Sequence, residues 1–161
     1  MVSRASISTM RATYRVLAHS IAGLVAVQAA AIALWVFGLF KWVDDGNSFT
    51  PQVVDDRGEG VTGSVGIAIH SFGAIVIALL AIALVIVSFF AKFDGAAKWA
   101  GFVFLAVLLQ WVFAIVAFEA PVAGVLHGLN AIVVFSVALQ AGRRVGALPG
   151  TTTPTEVAAT R

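Results

Sequence analysis

The sequence predicts an all-α integral membrane protein, a four-helix bundle with both termini on the cytoplasmic side. Three observations carry that expectation. Of the 161 residues, 60% are hydrophobic and only 11% are Asp, Glu, Lys or Arg, with a mean hydropathy of +1.00; a soluble domain carries about a quarter charged residues. The apolar residues fall in long runs, and the hydrophilic residues gather between them. Strict alternation of apolar and polar residues, which would mark a membrane β-barrel, is missing.

The spans follow in order. Residues 1–15 read as a cytoplasmic segment, and the first span covers about 16–40. Arg4, Arg11 and Arg15 precede it, but its apolar run is longer than a cleavable signal core, so the helix is expected to be retained. The second span covers about 61–91, the third about 99–118 and the fourth about 121–142. Each reaches the roughly 20 residues a bilayer crossing needs. Together they make a transmembrane domain over 16–145, followed at 146–161 by a tail with no apolar face that is expected to be disordered.

Charge sets the expected orientation. The N-terminal segment is basic, the second connection carries Lys92 and Lys98 against Asp94, and the last span ends at Arg143 and Arg144. The first connection is acidic, with Asp44, Asp45, Asp55, Asp56 and Glu59 against Lys41 and Arg57, and the short third connection holds Glu119. The positive-inside rule then places a multi-pass protein in the cell membrane with both termini cytoplasmic. The first connection either caps the outer end of the bundle or stays a mobile acidic loop. Trp42, Trp99 and Trp111, with Phe89 and Phe90, read as interfacial or packing residues. The net charge of +2 is explained by topology and does not call for nucleic acid. Cysteine is absent, which excludes disulfides, thiolate metal sites and covalent haem.

The chain has three histidines, and two hold matching places. His70 in GSVGIAIHSFG and His127 in APVAGVLHGLN each follow the start of a span by a turn or two. At about 1.5 Å per residue, both lie roughly 9 to 14 Å from the outer helix ends. Gly63, Gly66 and Gly73 share the face of His70; Gly124, Gly128 and Ala131 flank His127. Small residues there either let helices approach closely or leave room for a flat macrocycle. On the second reading His70 and His127 are the axial metal ligands of one non-covalent haem b, with Gly66, Gly73, Gly124, Gly128, Asn130 and Gln110 around it. Its propionates would face Lys41 and Arg57. On the first reading the histidines bridge helices by hydrogen bonds, His70 to a carbonyl, Asn130, Ser71 or Gln110. His19 lies near the inner surface, away from the pair, as an interfacial hydrogen-bonding residue or a contact to quinone or lipid headgroup. Gln28 and Gln110 are expected to face the bundle interior.

The stretch LLQWVFAIVAFEAPVAGVLHGLNAIVVFSVALQAGRR resembles the last two helices of a family of small, uncharacterised four-helix membrane proteins common in actinobacteria. Leu109-Gln110, His127, Asn130 and Arg143-Arg144 carry the likeness, with HSFG at His70 and Gln28 in the earlier helices. More distantly, the layout resembles one half of a haem A synthase and the b561-type cytochromes, which implies a haem held by His70 and His127. The synthase's catalytic half and the second histidine pair of the b561 pattern have no counterpart.

The leading expectation is therefore a b-type membrane cytochrome or haem-carrying accessory subunit performing one-electron transfer, with no catalytic residues of its own. A membrane redox partner or quinone, and homo- or hetero-oligomers, would accompany it. The alternative is a cofactor-free structural or assembly subunit of a membrane complex. A transporter is disfavoured, because no charged residue falls clearly at mid-membrane.

Overall fold

The structure is a computed structural model that describes residues 4–146. Apart from Gly146, the tail expected to be disordered lies outside the described residues. The order of elements is α1 (Arg4–Asp44), α2 (Pro51–Asp55), α3 (Ser64–Ala91), α4 (Ala96–Ala117) and α5 (Val122–Arg143). The helices α1, α3, α4 and α5 are long and apolar enough to cross a membrane. The chain is an all-α, multi-pass membrane bundle. Around the bundle α1 packs on α3, α3 on α4, α4 on α5, and α5 closes back on α1.

The helix ends differ from the sequence expectation where local chemistry favours continuation. Helix α1 begins at Arg4 rather than near residue 16. No Gly or Pro interrupts residues 4–22, and Ala, Met and Arg are good helix formers. At 41 residues α1 is about 60 Å long, so it overhangs the bilayer. Helix α3 starts at Ser64 instead of 61, because Gly63 takes φ +80° and stops the helix there. The short helix α2 was not expected. Pro51 at its first position fixes a helical φ, and Thr50 in an extended conformation leads into it.

The arginines read as topology signals also tie the bundle together. Arg11 donates from Nε to the Ala91 carbonyl (3.0 Å) and from Nη2 to that of Lys92 (2.5 Å), the last groups of α3. Arg15 donates to the Val145 and Gly146 carbonyls, just past α5 (both 3.3 Å). The buried Tyr14 hydroxyl donates to Ala96 at the start of α4 (3.0 Å). Carbonyls at helix C-termini lack partners within the helix and carry negative partial charge, which a guanidinium offsets. These contacts put the start of α1, the α3–α4 connection and the end of α5 at one end of the molecule. Packing there is tight: Tyr14, Ala18, Ala81, Leu84, Ala100 and Val103 are fully buried.

At the opposite end α1 and α3 meet through glycine. A Cβ on Gly66 would strike the Ala31 carbonyl oxygen and lie 2.8 Å from the Trp35 nitrogen, both backbone atoms of α1. The first connection is folded, not loose. Gly58, at φ +74°, lies under the Trp35 ring, and the Thr62 carbonyl oxygen sits against Gly38. Val61 is buried beside them. The loop therefore covers the α1–α3 pair.

Gly66→Ala should lose about 1–3 kcal/mol by overpacking, whereas Gly101→Ala, with nothing within 4 Å of the added carbon, should not destabilise. Unfolding titrations in micelles measure both; equal effects would refute the close approach. Arg11→Ala should cost about 1 kcal/mol in the same assay, after allowance for the partial exposure of the pair.

Candidate functional site

His70 and His127 come together across the diagonal of the bundle, from α3 and α5. Their ring centroids are 6.2 Å apart and the planes are inclined at 59°. Matching places in two parallel helices thus bring the pair to one level.

The partners of His127 all come from α4. Its Nδ1 donates to the Gln110 carbonyl (3.1 Å), and the Gln110 amide nitrogen lies 3.2 Å from its Nε2. The same amide nitrogen donates to the His127 carbonyl (3.0 Å). Asn130, one turn along α5, donates from Nδ2 to Gln110 Oε1 (2.7 Å) and to the Ala106 carbonyl (2.8 Å). Positions three or four apart share a helix face, so Ala106 and Gln110 meet His127 and Asn130 in register. One arrangement satisfies every donor. Gln110 gives its two amide hydrogens to His127, Asn130 gives its two to α4, and the His127 ring carries its proton on Nδ1 with Nε2 accepting.

His70 bonds α3 to α1. Its Nδ1 lies 3.3 Å from the Gln28 carbonyl, which can only accept, so Nδ1 is the donor. The Gln28 amide nitrogen donates to the Ile69 carbonyl at 3.5 Å. Its Oε1 is buried and has no partner among the described residues. Of the partners weighed for His70, the carbonyl is the one found. Asn130 and Gln110 bond elsewhere, and Ser71 is exposed.

Both histidines line a cavity of about 210 Å³ with walls from all four long helices. Gln28, His70, Gln110 and His127 supply its polar edge, and Val25, Ile32, Ile77, Val107 and Val134 most of its apolar wall.

These contacts correct the haem expectation. Among the described residues no three His, Cys, Asp or Glu side chains gather as a metal-binding group. The His127 Nε2 that an iron would take already accepts from Gln110. The glycines do not hold a macrocycle's space open either: α1 fills the room beside Gly66, the Gln28 amide fills that beside Gly73, and Ala117 lies near Gly124. Gly128 alone of that set faces open space. Lys41, expected to face the propionates, pairs with Asp45 just past the end of α1. Haem b, its iron, the metal roles of His70 and His127, and cytochrome-type electron transfer are therefore set aside. So is the haem implied by the likeness to haem A synthase and b561-type cytochromes.

His19 stands apart from the pair. A Cβ on Gly142 would lie 2.7 Å from His19 Nε2, so the exposed His19 ring leans on a bare patch of α5. Trp35, whose ring covers Gly58, carries no sequence signal beyond its apolar character. Gln110 was legible as an interior polar residue, but its choice of His127 was not. The chain matches no family model, no curated protein and no solved structure.

Gln110→Leu removes the donor to His127 Nε2 and one of the two acceptors of Asn130 Nδ2, leaving their bonds to the backbone carbonyls of residues 110 and 106. It should destabilise the protein by about 1–3 kcal/mol, whereas Gln140→Leu, on the exposed part of α5, should stay within about 0.5 kcal/mol. Chemical denaturation in micelles reads both, and equal losses would contradict the network.

Proposed function

We propose that this protein is a structural or assembly subunit of a membrane complex, working without haem, and that α1 is its docking helix. The observation that carries the reading is the outward face of α1. Gly23, Ala26, Ala30 and Ala33 recur at helical spacing and are all exposed. Gly23 has nothing within 4 Å of where a side chain would begin. Lipid gives no hydrophobic drive for helices to associate, so association depends on backbones approaching closely, and small residues permit this. The other polar features support the same role, since His127, Gln110 and Asn130 are used as helix-to-helix bonds.

The motif likeness to the actinobacterial four-helix proteins belongs to this proposal. Gln110, His127 and Asn130, which carry it, are the members of the α4–α5 network, so a family sharing them would share a packing device. Orientation belongs to it as well. Arg11, Arg15, Lys92, Lys98, Arg143 and Arg144 cluster at one end, with the acidic connections at the other, which supports cytoplasmic termini in the cell membrane.

Native electrophoresis of the protein extracted from its own membrane in mild detergent tests the reading. Wild type should migrate as an assembly larger than one chain, and Gly23→Leu/Ala30→Leu should fall to the single-chain position while its helical circular dichroism is kept. A wild type that runs as one chain, or a variant assembly that is unchanged, refutes it. Because the chain has no cysteine, Ala30→Cys on its own then reports the neighbouring helix by cross-linking.

A further inference from the structure

The cavity lined by His70 and His127 has a polarity that selects a ligand. The buried side-chain polar atom without a partner among the described residues is an acceptor. Gln28 lines the cavity, is 8% exposed, and has an Oε1 without a donor. His70 lines it too, and with Nδ1 donating to the Gln28 carbonyl its Nε2 is left as an acceptor in the neutral ring. A buried acceptor without a donor costs about 1–3 kcal/mol, so the site favours whatever brings one. Ala29, Trp111 and Gly128 line the cavity and are also exposed, so it reaches the bilayer-facing surface. At about 210 Å³ it falls below the roughly 300–1,000 Å³ of pockets that enclose a whole ligand. It suits a head whose tail remains in the lipid.

We infer that this cavity is a binding site for a lipid-soluble hydroxyl compound, an apolar molecule whose O–H enters past Ala29, Trp111 and Gly128 and donates to Gln28 Oε1. No bond is made or broken; the hydroxyl replaces a missing donor. The mouth at Ala29 borders the outward face of α1, but the acceptor, Gln28 Oε1, is buried inside the bundle, and the inference does not depend on the docking role. Phenolic heads, as in hydroquinones, and aliphatic heads, as in long-chain alcohols, share this chemistry.

The full-length protein in phosphatidylcholine nanodiscs, whose lipid offers no hydroxyl donor, tests it. The probes are 4-decylphenol, 1-dodecanol and 4-decylanisole, a methyl ether of the phenol with no donor. A saturable rise in melting temperature is expected with at least one hydroxyl probe, with the ether about tenfold weaker, the worth of one buried hydrogen bond. A response to the phenol alone assigns an aromatic head, and a response to 1-dodecanol an aliphatic alcohol. Gln28→Leu should abolish the preference for hydroxyl over ether while melting no lower than wild type without ligand. Gly128→Leu should block all three probes by filling the open space beside it. A phenol response matched by the ether, no response to either hydroxyl probe, or an unchanged preference in Gln28→Leu overturns the assignment. Gly23→Leu/Ala30→Leu should keep the response, which separates failure of this site from failure of the docking face.

Discussion

A polar group inside a bilayer has no water to turn to, and that constraint organises this bundle. An unpaired group in hydrocarbon costs several kcal/mol, so Gln110, His127 and Asn130 have to find each other. They do so with the donors of each matched to acceptors across the α4–α5 seam. The net gain per interhelical bond is modest, about 0.6–2 kcal/mol. The larger effect is on choice: a slip of α5 along α4 by one residue would strand the amide, the imidazole and the carboxamide together. The network therefore fixes the register of these helices more than it adds stability, and with it the place of His127 beside His70.

The rest of the bundle is arranged around that fixed level. On one side, Arg11, Tyr14 and Arg15 of α1 bind the end of α3, the start of α4 and the segment after α5. On the other, Gly66 lets α3 lie directly on α1, and the first connection folds over the pair through Trp35 and Gly58. Between the two ends the helices cannot close completely. Gly128 leaves room on α5, and Gln28 and His70 turn acceptors inward, so a cavity persists at the one level where four polar side chains meet.

Much of this was legible in the amino-acid order. Hydropathy located the spans because length and apolarity are summed over 20 residues, and single errors wash out. The basic ends of α1, α3 and α5 were legible as a common side; their use as caps was not, since a guanidinium's reach depends on which helix stands next to it. Small residues around His70 and His127 were legible as space but not as whose space. Gly66 serves α1, Gly73 serves the Gln28 amide, and Gly128 serves the cavity, a division that spacing along one helix cannot encode. The haem expectation failed at the same point. A histidine pair at one depth follows from the sequence, but whether each Nε2 is open depends on a glutamine from another helix.

The central claim is that His127 is a packing residue whose ring is held by Gln110. Imidazole ¹⁵N NMR of histidine-labelled protein, with the signal assigned through His127→Gln, tests it most directly. The account predicts a single tautomer for His127, protonated at Nδ1 with a hydrogen-bonded Nε2; in Gln110→Leu the residue 110 backbone carbonyl still holds the Nδ1 proton, and the Nε2 signal shifts to that of an acceptor without a donor. A His127 ring protonated at Nε2 in the wild type, or one whose signals are untouched by Gln110→Leu, would contradict it.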